Sequence, residues 1–409
     1  MFLFLKENLF KIILILILLV ILVYVANITS IPESIILFEN DEFNLDIIAG
    51  LKLEETIPVG SNLTRKSENY LEQKEYNISL LGLNVRTITT NTIPKTKVIP
   101  LGNLIGLKLY TEGVLVVGVS EIKGQDNKIY KPYEEAGIKQ GDSIIEINNE
   151  EVNTTEELIS CVSRCNGNPI DITYINEGKV LETQIVPVET EKDTYKIGLW
   201  VRDAEAGIGT ATFYESKTKS FAALGHGIQD VDTQELVDIS SGELVTSQVL
   251  NIQKGKKDNP GKIEGTIENS KKIGEIYSNT NFGIYGNSKN IGELNISEIK
   301  EVEVASRKEI TLGKATVICT LEDGKGEEYE LEIQKIYINN NKDNKSMLVK
   351  ITDDRLLEKT GGIIQGMSGS PIIQNGKLVG ALTHVLLSDP TKGYALFADT
   401  MISQLNNSR

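Results

Sequence analysis

Every residue from Ile12 to Ala26 is apolar or aromatic, and Lys6 and Lys11 stand in front of the run. Such a run cannot face water on a folded surface. As a helix it nears the thickness of a bilayer once Leu9 and Phe10 are counted across a snorkelling Lys11. The lysines favour a cytoplasmic N-terminus and an exported remainder. No clean small-X-small cleavage site is present, and Val23-Tyr24-Val25-Ala26 is a weak match. Residues 1–28 therefore read as an uncleaved or slowly cleaved signal anchor. No second long apolar run follows, so everything after Asn27 is expected on one side of the membrane.

Composition excludes several function classes. The 57 acidic residues outnumber the 42 basic ones, for a formal charge of −15. That argues against nucleic acid as a partner, because phosphate binding needs a basic face. Two histidines, His226 and His384, and three cysteines cannot build a metal cluster, and no metal or cofactor is expected. Cys161 and Cys165 read as two thiols on a helix from Thr155 to Cys165, and Cys319 as a core residue in a strand. Abundant Gly, Val, Ile and Thr predict a mainly β protein.

Residues 29–95 read as an exported spacer. Glu39 to Asp46 looks like an acidic stalk, and alternation in Tyr76–Leu80 and Val85–Thr89 predicts a small β-unit. Residues 96–190 are more specific. A glycine-punctuated segment, Pro100 to Leu109, leads to the buried-strand signal Gly113–Val119. Ala136-Gly137-Ile138-Lys139-Gln140-Gly141-Asp142-Ser143-Ile144-Ile145-Glu146-Ile147-Asn148 then gives a short helix, a turn and a strand. The helix Thr155–Cys165 and a strand Ile170–Tyr174 complete the unit. This stretch resembles a PDZ domain. Such a domain accepts an extended peptide on a sheet edge, with loop amides near the peptide's end. By that resemblance the peptide-binding loop is Leu101, Gly102, Asn103, Leu104 and Ile105. It departs from the usual Gly-Leu-Gly-Phe form, so internal or membrane-protein segments are the expected ligands.

Residues 191–409 read as β throughout. Strands are expected at Ile197–Val201, Gly207–Tyr214, Phe221–Leu224, Ile310–Leu312, Ala315–Leu321, Tyr329–Ile333 and Met347–Ile351, and an exposed loop at Asn251–Ser270. Many short strands with Gly/Asn/Asp turns predict a barrel or sandwich. Between two apolar pairs lies Gly366-Met367-Ser368-Gly369-Ser370-Pro371. Glycines around a serine let the backbone bend and leave room for a carbonyl beside the hydroxyl, which suits a nucleophile. Such a serine needs a base within hydrogen-bond reach. His226, between Gly225 and Gly227, has the placement of an exposed imidazole. His384 follows a strand and reads as part of a barrel wall. Asp230, Asp232, Asp353, Asp354 and Asp399 are the candidate acids, Asp353 being favoured because it ends a strand shortly before the serine turn. A Ser–Lys pair with Lys377 or Lys359 is the competing chemistry, and a non-enzymatic exported PDZ scaffold the competing function.

The anchor, the PDZ-like unit, Ala223-Leu224-Gly225-His226-Gly227-Ile228 and Gly361-Gly362-Ile363-Ile364-Gln365-Gly366-Met367-Ser368-Gly369-Ser370-Pro371-Ile372 together resemble the stage IV sporulation protein B family of signalling serine peptidases. The resemblance implies a chymotrypsin-like β-barrel peptidase domain. It also implies Ser368 as nucleophile, His226 as base and Asp353 as acid, with the N–H groups of Gly366 and Ser368 as the oxyanion hole. It further implies self-cleavage, and a substrate that is the regulatory subunit of an intramembrane metalloprotease complex. The expected location is the space between the forespore membranes, where cleavage triggers a late mother-cell sigma factor.

Overall fold

The computed structural model describes residues 2–43, 50–56, 70–294, 296, 299–322, 326–338 and 344–408. Part of the expected acidic stalk, residues 44–46, lies outside them. Helix α1 (Phe2–Ser30) contains a stretch long and apolar enough to cross a membrane, Lys11–Thr29, with mean hydropathy 3.0.

Strands β1 (Ser34–Phe38), β2 (Leu51–Glu55), β3 (Glu72–Leu80) and β4 (Leu83–Ile93) form one sheet in the order β1-β4-β3-β2. The expected β-unit is thus present. It is not a free stalk, because Phe38 and Ile93 share a core with Met401, Ile402 and Leu405 near the C-terminus.

The next strands are β5 (Lys97–Pro100) and β6 (Leu104–Val119). Then follow β7 (Ile122–Lys123), β8 (Ile129–Tyr130), α2 (Pro132–Ala136), β9 (Ser143–Ile147), β10 (Glu150–Glu151), α3 (Thr155–Arg164), β11 (Ile170–Asn176), β12 (Lys179–Ile185), β13 (Val188–Glu191) and β14 (Thr194–Lys196). These make the PDZ module, whose core unites Val114, Val116, Ile144, Ile147, Leu158, Val162, Ile170 and Ile172. A capping box starts α3: Thr154 accepts from Glu157 N–H, and the Glu157 carboxylate accepts from Thr154 N–H. Cys161 and Cys165 are free thiols, as expected.

Strands β15 (Leu199–Glu215), β16 (Ser220–Ala223), β17 (Ile239–Gln253), β18 (Lys262–Thr280) and β19 (Gly283–Asn287) close a first barrel with β6. The ring runs β6-β17-β18-β19-β16-β15 and back to β6. The expected loop Asn251–Ser270 is instead mostly ladder: Gln253 pairs with Lys262, and Asn251 with Glu264. Alternation was masked there by the lysines and glycines at the hairpin tip.

The topology moves the domain boundary. Strand β6 begins in the barrel and ends in the PDZ module, while β15 begins on the module and ends in the barrel. Leu199 pairs with Val119 and Thr210 with Leu104. The module is therefore inserted between two barrel strands, and residues 97–111 lie upstream of it but belong to the barrel. Gly113 marks the bend. It has φ +72, and a Cβ there would lie 2.3 Å from the Ile144 carbonyl oxygen.

A short β20 (Val302–Glu303) pairs with β5. The second barrel is closed in the order β21 (Gly313–Cys319), β22 (Glu327–Ile336), β23 (Met347–Ile351), β26 (Lys392–Phe397), β25 (Lys377–Val385), β24 (Pro371–Gln374). Along β22, Tyr329, Leu331 and Ile333 point into the core while Glu328, Glu330 and Glu332 face water. Ile310–Leu312 forms no strand. Cys319 is fully buried, and burial pushes its thiol up to about 12. Helix α4 (Asp354–Thr360) precedes the serine turn, and α5 (Ala398–Asn407) follows the barrel. Arg307, in the turn before β21, makes a buried bidentate pair with Asp399 of α5: Nε to Oδ2 is 2.8 Å and Nη2 to Oδ1 is 2.9 Å.

Candidate active site

The serine turn lies between α4 and β24 and is held by backbone on both sides. Met367 N–H donates to Ile364 O, Ser370 N–H to Met367 O, and Gly369 N–H to Leu382 O of β25 at 2.7 Å. The first barrel reaches across to it through Thr210 of β15. The Thr210 hydroxyl donates to Gly366 O at 2.7 Å, and Thr210 N–H to Ser368 O at 3.0 Å. These bonds use the carbonyls of Gly366 and Ser368. Their N–H groups have no partner among the described residues, as an anion-binding pair requires.

Gly369 has φ +98, and a Cβ on it would lie 2.1 Å from Thr210 O and 2.6 Å from Leu224 N. Gly369→Ala is therefore expected to destabilise the peptidase domain by about 3 kcal/mol, through left-handed strain plus a backbone clash. It is also expected to abolish labelling of the serine by an organophosphorus ester. Urea denaturation and labelling check the two effects.

His226 comes from the first barrel. Beyond β16 the chain turns through two left-handed residues, Leu224 at φ 69 and Gly225 at φ 71. This conformation is costly for leucine and swings the following imidazole towards the second barrel. Gly225 packs against Thr383 of β25. The Nδ1 of His226 lies 2.8 Å from Gly227 O, so Nδ1–H donates and Nε2 is left as the open acceptor. Burial holds the imidazole below its ordinary range, partly offset by the Gly227 carbonyl. It thus stays neutral, and able to take a proton, below the usual histidine range.

Ser368 and His226 converge on one segment of β25. The Ser368 hydroxyl donates to Thr383 O at 2.8 Å. Thr383 is itself fixed, its hydroxyl within reach of Asn344 O at 3.0 Å and Tyr394 O at 3.1 Å. The next residue, His384, belongs to strand β25 of the barrel wall, and its side chain is exposed. Its ring centroid lies 5.4 Å from that of His226, at an interplanar angle of 40°. Both histidines of the chain therefore meet here. The signal for His384 was its rarity. Nothing in the sequence pointed to Thr210 or Thr383.

Asp353 is placed differently from the expected acid. It caps α4, its carboxylate accepting from Arg355 N–H. Arg355 Nη2 adds a bond of 2.8 Å and Glu330 N–H one of 3.1 Å. The Arg355 guanidinium, opposed by burial and aided by the backbone N–H groups, holds the carboxyl down to about 2. Its stabilising contribution is therefore present above the ordinary carboxylate value and lost as pH falls towards 2. No hydrogen bond joins Asp353 to His226 among the described residues. Asp230 and Asp232 pair with Arg202, Asp399 with Arg307, and Asp354 is exposed. Lys377 pairs with Glu303 and Glu309, and Lys359 with Glu322, so neither competing base faces the serine.

The expected peptide-binding loop lies in the barrel seam. Leu101, Asn103, Leu104 and Ile105 are buried. Leu101 and Gly102 donate to Thr212 O and Ala211 O, and a Cβ on Gly102 would lie 2.6 Å from Ile318. All five residues are thus buried in the seam, away from an incoming peptide. In the module itself, the strand next to Leu115–Val119 is the chain's own Leu199–Arg202.

A protein of Clostridium perfringens (strain 13 / Type A) named as a zinc metalloprotease is 25% identical over 92 residues, which cover 21% of this chain and 28% of that protein. The PDZ domain of an SdrC-like protein from Listeria monocytogenes is 24% identical, covering 22% of this chain and 87% of the domain, with a TM-score of 0.18. A structure of GrC is 9% identical, covering 50% of this chain and 88% of that one, with a TM-score of 0.26. The SpoIVB peptidase S55 family matches residues 193–402, more than half of the chain, from the start of β14 through the second barrel to α5. The chain belongs to that family of serine peptidases.

Proposed function

We propose that this protein is an exported, membrane-tethered serine endopeptidase of sporulation signalling. The observation that carries the reading is that the Ser368 turn and the His226 turn meet at adjacent residues of β25, Ser368 at Thr383 and His226 beside His384, with two N–H groups next to the serine that have no partner among the described residues. In the reaction Ser368 Oγ attacks a peptide carbonyl as its proton passes to His226 Nε2. The developing oxyanion is taken by the N–H groups of Gly366 and Ser368. The proton then goes to the leaving amine, and water releases the acyl group by the reverse sequence. For this the Ser368 hydroxyl gives up its bond to Thr383 O.

Helix α1 tethers the peptidase, and the PDZ module selects extended segments of membrane proteins. The substrates are a second copy of the chain and the ectodomain of a regulator that restrains an intramembrane metalloprotease, in the space between the forespore membranes. Asp353 belongs to this machinery through α4, which it caps and which leads into the serine turn. Asp353→Asn is expected to lower peptidase activity at least about tenfold and stability by about 1 kcal/mol, through loss of the Arg355 pair. Asp354→Asn should change neither, and cleavage rates and urea midpoints of the two variants check this. The function itself is tested by incubating the full chain in lipid vesicles with the candidate regulator. Mass spectrometry should find fragments of both proteins, and the absence of any fragment in a chain whose serine binds no organophosphorus ester would end the proposal.

A further inference from the structure

We infer that His384 is a positioning residue for catalysis, its neutral ring holding the His226 imidazole and stabilising the imidazolium formed when Ser368 gives up its proton. The inference rests on the reading of Ser368 and His226 given above. An imidazolium needs a partner that orients it and tolerates its charge. Here the Nδ1–H partner is a backbone carbonyl, Gly227 O, and Asp353 is engaged by Arg355 and Glu330 N–H. The side chain that faces the imidazole is His384, with centroids 5.4 Å apart. An aromatic face attracts a cation within about 6 Å of its centroid, and a second cation there would repel it.

The surroundings keep His384 neutral. Facing it are His226 from the first barrel, Lys345 from the segment before β23, and Tyr394 across the ladder from β26. Protein packed behind the ring, then the charges of His226 and Lys345, push it down to about 4. Lys345 is itself drawn over the Tyr394 ring, 5.4 Å from its centroid. No proton moves to His384 in the reaction. The Ser368 proton rests on His226 Nε2 while the Oγ–carbon bond forms, and leaves with the amine.

The test uses the full chain in a non-denaturing detergent and a fluorophosphonate reagent that esterifies an activated serine. Second-order labelling rates are measured from pH 4 to 9. His384→Ala is expected to lose about tenfold or more at neutral pH, and His384→Phe, which keeps a ring face, to stay within about threefold of wild type. His384→Lys should fall at least as far as the alanine variant. Its fixed charge should also move the acid limb to lower pH, because it disfavours the imidazolium of His226. Melting temperatures should stay close to wild type, since the side chain is exposed. An alanine variant within twofold of wild type across the range overturns the inference, as does a phenylalanine variant no better than alanine. His226→Ala is run beside them. If it labels at the wild-type rate, the reading of the site itself is wrong, which is a separate outcome from failure of His384.

Discussion

A Ser368→Ala chain is expected to lose peptide-bond cleavage by at least about four orders of magnitude while keeping its fold. Ser368 is half-buried at the surface of the barrel seam, and its hydroxyl makes one bond, to Thr383 O. Removing it leaves Thr210, Leu382 and the two glycine bends undisturbed. The control is the neighbouring serine. Ser370 is fully buried, and its Oγ has no hydrogen-bond partner among the described residues. An unsatisfied buried hydroxyl costs about 1 kcal/mol or more. Ser370→Ala should therefore cleave normally and be as stable as wild type or slightly more so. Fragment yields in vesicles and urea midpoints decide between the serines. If the Ser370 variant is folded and inactive while the Ser368 variant cleaves, the nucleophile has been misassigned.

The second large effect concerns stability. Arg307 and Asp399 are almost fully buried, with side chains 3% and 2% exposed, and the guanidinium also lies 5.1 Å from the centre of the Phe397 ring. Their mutual attraction offsets the cost of removing both from water, and that balance holds only while both are present. Arg307→Ala is expected to destabilise the peptidase domain by about 3 to 5 kcal/mol, because Asp399 is left buried without its partner. Replacing both together, Arg307→Met with Asp399→Leu, should cost far less than the single change. Chemical denaturation of the three chains tests this. A single variant within about 1 kcal/mol of wild type would show that water reaches Asp399 and that the pair is not a sealed contact.

The candidate site was legible in the sequence to the extent that local backbone chemistry creates it. Glycines around Ser368 and His226 announced sharp turns, and both turns are built on left-handed residues. The helix at Thr155 and the second-barrel strands at Ala315, Tyr329 and Met347 followed from local pattern, whereas β26 did not. What was illegible depends on which distant segments meet. Asp353 resembled a triad acid because it ends a strand before the serine, yet its neighbour Arg355 engages it. Leu101 to Ile105 had the spacing of a PDZ loop, yet pairing with β15 draws them into the seam. His384 looked structural because it follows an apolar strand, and only the closure of two barrels brings it to His226. Charge pairing and long-range strand register decide such cases, and neither leaves a local pattern.

The insertion of the PDZ module between β6 and β15 has a consequence for the order in which the protein can be made. The first barrel strand leaves the ribosome early, but its partner follows only after the whole module. Bringing Thr111 to Asp203 across a disordered chain of roughly 90 residues would cost about 4 kcal/mol in closure entropy. The folded module removes most of that cost. Leu199 and Val201 pack on its core, Thr155 N–H donates to Asp203 at 2.8 Å, and the Thr111 hydroxyl reaches Asp203 O at 3.2 Å. The module thus serves as an internal template that delivers two strands in register to the barrel. Once the module is folded, closing the first barrel carries little of that entropy cost.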